Sequence, residues 1–364
     1  MEKIKGRLGF GCMRLPMKDG EVDVAEFSSM IDAFIDAGFN YFDTAHGYLD
    51  TKSELAVGEC LSARYPRDAF ILTDKLSVWY INGEETVRPF FESQLAACKV
   101  DYFDFYLVHA LNRERYASFK AQRAFETVSD LKKEGYIRHI GISFHDTAEV
   151  LDMILNEQPS IEVVQLQINY LDYDDPGVQS KACYDVAVKH GKRVIVMEPV
   201  KGGALANLPP RAAELFDSLG GGSHASYALR YVAGYPEVFM ILSGMGNMAM
   251  MEDNIRTMSP PLPLSPEELL ATDRARAIIR ESNTIPCTAC NYCAEVCPKD
   301  IPVSGIFAAM NDVAMARLTR GEAGAKLPES PKASDCIGCG RCEQVCPQKI
   351  EIRERLKTAA KKLY

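Results

Sequence analysis

Up to about residue 250, apolar residues fall into two alternating textures: short continuous runs, and longer stretches in which they recur at i, i+3 and i+4. A run without alternation is the form of a strand buried on both faces, and the i, i+3, i+4 stripe is one face of an amphipathic helix. Eight runs carry the first texture: 7–13, 40–43, 70–75, 103–109, 137–143, 163–169, 193–198 and 238–243. Most recur at intervals of about thirty residues, the length of one strand, one helix and their connections. Eight successive β-α units close a (β/α)8 TIM barrel, so an α/β barrel is the expected fold.

The stripes between the runs are packing faces of helices. Phe27, Met30, Ile31, Phe34 and Ile35 share one such face, with Gly38 following as a stop signal, and a second stripe over 125–133 ends the same way at Gly135. The alternation breaks at Ser259-Pro260-Pro261-Leu262-Pro263-Leu264-Ser265-Pro266, which reads as a semi-rigid linker. Ser265-Pro266-Glu267-Glu268 then offers a capping hydroxyl, a first-turn proline and acidic residues at the positive end of a helix expected to reach about residue 282. Beyond it, 303–318 reads as helix and 319–331 as loop. The expected organisation is a barrel over 1–262, a linker and connecting helix over 263–283, a small α+β module over 284–350 and a helical tail over 351–364.

Length and composition agree with this division. A chain of 364 residues holds a barrel of about 250 residues and a small module. With 47% hydrophobic and 25% charged residues, it has the make-up of a globular chain with a full core. No apolar stretch approaches the ~20 residues needed to cross a bilayer, and the opening Met1-Glu2-Lys3-Ile4-Lys5-Gly6 has no apolar secretory segment, so a cytoplasmic location is expected. A net charge of −9 without a basic stripe argues against nucleic acid and is compatible with docking on a basic patch of a redox protein.

Cysteine placement changes the picture most. Eight of the twelve cysteines write one run twice: Cys287-x2-Cys290-x2-Cys293-x3-Cys297-Pro298, then Cys336-x2-Cys339-x2-Cys342-x3-Cys346-Pro347. A thiolate every third residue lets a short loop wrap one cuboidal cluster, and a fourth after a longer gap faces a second. This is the run of bacterial two-cluster ferredoxins, whose pattern puts Cys287, Cys290, Cys293 and Cys346 on one [4Fe-4S] centre and Cys336, Cys339, Cys342 and Cys297 on the other. Paired zinc sites normally offer two Cys pairs separated by a longer loop, and disulfide frameworks belong to secreted chains, so both alternatives fit worse. Cys12, Cys60, Cys98 and Cys183 lack ligand spacing and are expected as small buried hydrophobes. Thiolate-bound iron points to an intracellular, low-oxygen setting.

In a β/α barrel the chemistry sits where strands end and the following loops begin. Those positions hold Asp43 and Tyr48 after the second run, Lys75 closing the third, His109 closing the fourth and Ser143 closing the fifth. The segments resemble the aldo-keto reductase family. Phe42-Asp43-Thr44-Ala45-His46-Gly47-Tyr48 is similar to its aspartate-to-tyrosine signature, Thr73-Asp74-Lys75 to its lysine strand, and Phe105-Tyr106-Leu107-Val108-His109 to its histidine strand. The likeness covers residues 6–258, and the cysteine-bearing tail resembles a branch of anaerobe reductases with a ferredoxin-like extension. It implies a catalytic tetrad of Asp43, Tyr48, Lys75 and His109. Hydride delivered to a carbonyl carbon leaves charge on oxygen, which needs a proton donor within reach. A free tyrosine, with pKa about 10, holds its proton too tightly to exchange readily; a Lys75 ammonium would lower that value, with Asp43 keeping the lysine charged and His109 orienting the substrate oxygen. His46, His139 and His145 read as ordinary satisfied polar residues.

The resemblance also implies a nicotinamide site. Ser143 and Gln165 would hold the carboxamide, and Met197 replaces the usual stacking aromatic. Ser243, Gly244 and Gly246 would line the phosphates, with Asn254 at adenine and Lys201-Gly202-Gly203 closing over the pyrophosphate. Gly244 and Met250 stand where NADPH-specific relatives carry Lys and Arg, so a weak preference for NADPH, or a preference for NADH, is expected; Phe144 stands where asparagine is common, which with Met197 implies a loosely held cofactor. The expected cofactors are NAD(H) or NADP(H) beside two [4Fe-4S] clusters. A pocket of Met13, Tyr48, Trp79 and Tyr170 suits a small carbonyl compound or a sugar face. The expected function is an oxidoreductase that reduces a carbonyl, or oxidises an alcohol, with Tyr48 as proton donor. The alternative is an electron-transfer or redox-sensing protein whose barrel binds a nucleotide or metabolite without turnover. A small molecule and a redox protein are the expected partners, with no membrane.

Overall fold

The computed structural model describes residues 3–315 and 317–363. They form two compact units, one ending at Pro199 and resuming over Ala228–Leu264, the other made of Val200–Tyr227 and the chain from Ser265 onward. Residues 200–227, which the apolar pattern assigns to the barrel, group with the second unit.

In the first unit the eight runs become β1 (Leu8–Gly11), β2 (Tyr41–Asp43), β3 (Ile71–Leu76), β4 (Phe103–Leu111), β5 (Ile137–Phe144), β6 (Val163–Gln167), β7 (Arg193–Met197) and β8 (Val238–Ser243). They close a parallel barrel in the order β1-β8-β7-β6-β5-β4-β3-β2. A small hairpin, Met17–Lys18 against Glu21–Val22, follows β1.

Side chains alternate across a strand, so every second residue enters the barrel. Tyr41, Ile71, Phe105, Leu107, Val163, Ile195, Phe239 and Met240 form its apolar interior, the last two adjacent in sequence because the register of β8 shifts between Val238 and Met240. Continuing that alternation toward the C-terminal ends carries Tyr41 to Asp43, Ile71 through Thr73 to Lys75, Leu107 to His109, and Val163 to Gln165. Pairing keeps these ends level, with Asp43 opposite Thr73, Lys75 opposite Leu107, and Ser143 opposite Gln165. Polar residues therefore cap an apolar plug. The plug is tight at Gly141, where a Cβ would lie 2.5 Å from both Leu107 Cδ2 and Val163 Cγ2, so only glycine fits.

Outward-facing residues such as Phe10, Phe42, Leu72, Tyr106 and Ile142 join the helix stripes in one buried core. Helix Val24–Asp36 buries Phe27, Met30, Ile31 and Phe34, and its Asp23 cap accepts from Glu26 N at 3.0 Å. Burying each such side chain stabilises the fold by roughly 1.5–3 kcal/mol.

Among the described residues, the regular elements of the second unit are helices, chief among them Pro210–Asp217, Pro266–Glu281, Val303–Ala314 and Ile352–Lys362. The start expected at Ser265 is a full capping box: Ser265 Oγ accepts from Glu268 N at 3.2 Å, and the Glu268 carboxylate accepts from Ser265 N at 2.7 Å. Helix Val303–Ala314 stops short of the expected 318. The segment expected as a loop contains a helix, Arg320–Ala325, started by the same device with Thr319 and Glu322. Ile285, Ile301, Ile306, Phe307 and Leu356 form the core of this unit together with Cys293 and Cys342. Among the described residues no helix is long and apolar enough to cross a membrane.

Candidate active site and cluster ligands

Lys75 is fully buried and organises the polar end of the barrel. Its Nζ donates to Asp43 Oδ1 at 2.6 Å and to the Thr44 carbonyl at 2.7 Å, and lies 3.1 Å from the Tyr48 hydroxyl. Tyr48 lies edge-on to His109, ring centroids 6.3 Å apart, and Trp79 meets the same imidazole edge-on at 6.0 Å. The four tetrad residues are thus brought together. A buried ion pair adds little net stability, because desolvating both charges offsets their attraction, whereas stripping one partner strands the other at a cost of about 3–5 kcal/mol.

The electrostatics differ from the expectation on one point. Burial pushes the Tyr48 phenol well above its ordinary value, and the Asp43 carboxylate adds to the rise. Proximity to Lys75 does not leave a phenolate here; Tyr48 is held as a proton donor. Burial likewise pushes the Asp43 carboxyl up, against the pull of Lys75. His109 falls well below the usual histidine value, first through burial and then through Lys75, so the imidazole is neutral. Its Nδ1 lies 2.6 Å from Ser77 Oγ, a contact that fixes the ring.

Several residues expected to hold the nicotinamide cofactor are engaged within the barrel. Gln165 Nε2 donates to Asp43 Oδ2 at 3.2 Å, Ser143 Oγ accepts from Ala110 N at 2.7 Å, and Asn254 Nδ2 donates to Ser243 Oγ at 2.7 Å. Met197 ends β7 and is half-buried. Gly244 and Gly246 precede helix Met248–Met258. Lys201 groups with the second unit, where its side chain is buried and its Nζ donates to Gln348 Oε1 at 3.2 Å. Of the substrate candidates, Met13 is half-buried and Trp79 exposed. Tyr170 is buried, its ring edge-on to Tyr231 with centroids 6.0 Å apart. His46 bonds Glu54 at 2.8 Å and His139 bonds Glu162 at 2.7 Å, as satisfied polar residues do.

Two groups escaped the sequence reading. Behind β3, Gln94 Nε2 donates to Glu54, Asp74 and the Lys75 carbonyl at 2.9, 3.0 and 3.1 Å, while Tyr106 donates to Gln94 Oε1 at 2.5 Å. This buried network fixes the strand that carries Lys75. The second group is Arg14 with Glu198, whose guanidinium and carboxylate lie 3.5 Å apart. Arg14 packs against Gly244, where a Cβ would lie 3.5 Å from its Cβ and Cδ. Glu198 has a φ of 57°, a left-handed conformation that costs a non-glycine residue energy, and its Oε2 is buried without a hydrogen-bond partner. Both charges act on Tyr48, Arg14 easing its ionisation and Glu198 opposing it.

The two cysteine runs share one backbone design. Left-handed residues recur at equivalent places: Ala289, Asn291 and Asp300 in the first run, Gly338, Gly340 and Lys349 in the second. Such turns point successive amides inward and form the concavities that receive anions and iron-sulfur centres. The Ala289 amide already donates to Cys287 Sγ at 3.4 Å. The Cys293 thiol is pushed up to about 12 by burial and then by Cys290, Cys287, Cys346 and Cys342. Cys342, pushed up to about 11, responds to burial, Glu343 and Cys336. Among the described residues no three His, Cys, Asp or Glu converge as a single-ion site requires. On a [4Fe-4S] centre each of four cysteines holds a different iron, so the donor set fits clusters. Cys12, Cys60, Cys98 and Cys183 are all buried, as expected of packing residues.

Residues 7–277 match the aldo/keto reductase family, and residues 286–351 match the 4Fe-4S dicluster domain. The chain is 23% identical over 282 residues to the uncharacterized oxidoreductase YqkF of Bacillus subtilis, covering 68% of this chain and 86% of that protein. It is 25% identical over 243 residues to the NADH-specific methylglyoxal reductase of Escherichia coli, covering 60% and 70%. The structure of an aldo-keto reductase from Klebsiella pneumoniae in complex with NADPH is similar with a TM-score of 0.61 at 22% identity, covering 74% of this chain and 90% of that one, a likeness of fold. With the barrel, its polar end and the family match spanning most of the sequence, this chain belongs to the aldo/keto reductase family and carries a 4Fe-4S dicluster domain.

Proposed function

We propose that the protein is an oxidoreductase that reduces a small carbonyl compound at the C-terminal end of the barrel, with Tyr48 giving its proton to the substrate oxygen. The observation that carries this reading is the Lys75 ammonium, bonded to Asp43 at 2.6 Å and standing 3.1 Å from the Tyr48 hydroxyl. A bound nicotinamide nucleotide would supply hydride, and two [4Fe-4S] clusters would pass single electrons. In the chain itself, His109 orients the substrate oxygen next to Tyr48. As charge builds on that oxygen, Tyr48 donates its proton, and Lys75 stabilises the phenolate left behind. Asp43 keeps Lys75 charged and in place. A phenol held above its ordinary pKa stays protonated at neutral pH, the form in which carbonyl reduction needs it.

Gly244 and Gly246, before the helix at Met248, would line the phosphates of the nucleotide, and Ser143 and Gln165 would reach its carboxamide after small rotations. The choice between NADH and NADPH is open to direct titration. Anaerobically purified protein should oxidise one of them in the presence of small aldehydes or ketones, and Tyr48→Phe should abolish that oxidation. No oxidation with any carbonyl tested would sink this reading.

A second reading, electron transfer or redox sensing with a barrel that binds its ligand without turnover, is favoured by one observation. Glu198 puts a carboxylate beside Arg14, the cation packed on Gly244, where a nucleotide would bring its own negative charge. Binding of nucleotide with no carbonyl-dependent oxidation would support it.

A further inference from the structure

The repeated cysteine runs are built alike but covered unlike, and the cover is a segment of the chain with no cysteine in it. Residues Lys201–Gly203 form a short turn in the second unit. Gly202 has a φ of 61°, and a Cβ there would lie 2.5 Å from the Thr288 carbonyl oxygen and 2.7 Å from Thr288 Cα, so its backbone is packed directly on the first cysteine loop between Cys287 and Cys290. One residue away, the buried Lys201 Nζ donates to Gln348 Oε1 at 3.2 Å, just beyond Cys346-Pro347 of the second run. The turn therefore grips both stretches of chain that supply Cys287, Cys290, Cys293 and Cys346. Thr288 is 2% exposed in consequence. Its counterpart in the second run, Ile337, is 61% exposed, and Lys299, the counterpart of Gln348, is also exposed.

Covering a cluster removes water that would otherwise stabilise the extra negative charge of its reduced state. A buried cation nearby restores that stabilisation, since net charge and solvent exposure are what set the potential of a given cluster type. We propose that Lys201 is a potential-setting residue for the Cys287, Cys290, Cys293 and Cys346 centre, holding its reduction potential up, while the centre on Cys336, Cys339, Cys342 and Cys297, whose counterpart cation Lys299 is exposed and screened by solvent, does not depend on it. The proposal rests on the reading that the cysteines hold two clusters.

The test is a dithionite titration of the anaerobic holoprotein followed by electron paramagnetic resonance, which resolves the one-electron reduction of each centre. Cys339→Ser, a ligand exchange, marks the wave of the second centre. Lys201→Met should shift the other wave to lower potential and leave the marked one in place, and Lys201→Arg should restore it. Gln348→Glu, which neutralises the ammonium without removing it, should act like Lys201→Met and serves where that variant fails to assemble both centres. Equal shifts of both waves, no shift, or a shift of the marked wave would overturn the proposal. So would loss of iron in both charge-removing variants with unmoved waves in Lys201→Arg, which would make the contact structural. Holoprotein without iron would instead remove the two-cluster reading itself.

Discussion

The Nζ atom of Lys75 stands 3.1 Å from the hydroxyl of Tyr48, yet burial and Asp43 hold the Tyr48 proton more tightly than water would. The pair is poised for the moment when charge appears on a substrate oxygen and the phenol becomes the acid. Tyr48→Phe should lower the rate of carbonyl reduction by about 10²–10⁴-fold, the usual contribution of a positioned proton donor, with unchanged circular dichroism. Near-wild-type turnover would mean that the proton comes from elsewhere.

Asp43→Asn should be costlier to the fold than Tyr48→Phe, because it leaves the fully buried Lys75 without its counter-ion. Destabilisation of about 3–5 kcal/mol in urea denaturation is expected. A cost below about 1 kcal/mol would show that Lys75 sheds its proton when unpaired.

The pH dependence of stability follows from two buried groups. An unfolded histidine protonates near pH 6.5, whereas His109 in the fold stays neutral to well below that, so acidification below about 6.5 favours the unfolded chain. Tyr48 acts at the other end: the unfolded phenol ionises near pH 10 and the folded one does not, so stability falls again above about 10. Denaturation midpoints measured from pH 5 to 11, a range of about six units around these values, should fall at both ends, and His109→Gln should flatten the acid side.

Much of the barrel was legible because its strands are buried on both faces and stand out as unbroken apolar runs. The tetrad was legible for a related reason: Asp43, Lys75 and His109 are polar residues at the ends of such runs, where period-two alternation points them to one place. What sequence hid was long-range. Nothing local tells that Lys201 meets Gln348, that Gln94 ties Glu54 to Asp74, or that Arg14 meets Glu198, since each pairing joins distant stretches of chain. The helix at Arg320–Ala325 is different, because its Thr319 and Glu322 are a local start signal that the surrounding small and polar residues obscured.

The strained Glu198 beside Arg14 should oppose an incoming anion. Glu198→Gln should tighten NADH or NADPH binding on the order of tenfold, and Arg14→Met should weaken it by a similar factor, about 1.4 kcal/mol each way. Fluorescence titration of the bound nucleotide checks both. Weaker binding in Glu198→Gln would show that the carboxylate accepts a hydrogen bond from the ligand.

Iron should matter to the second unit as a folding ligand. Its core places Ile306 and Phe307 against Cys293 and Cys342, so the thiolates and the apolar packing are one structure. Chelating the iron should abolish hydrogen-exchange protection in Val303–Ala314 while leaving β3 and β4 protected. Phe307→Ala should cost about 3–5 kcal/mol in the same region.

The interruption of the barrel at Pro199, with return at Ala228, sets limits on how this protein can be divided. A cut in the proline-rich stretch looks safe on paper but leaves Leu205, Ala212 and Phe216, all buried in the intact chain, without the residues after Ser265 that belong to the same unit. Expression of the barrel alone would expose an oily flap to solvent. Because the chain passes from the first unit to the second and back between the seventh and eighth strands, separating the two takes two excisions and a splice where a single cut would otherwise do.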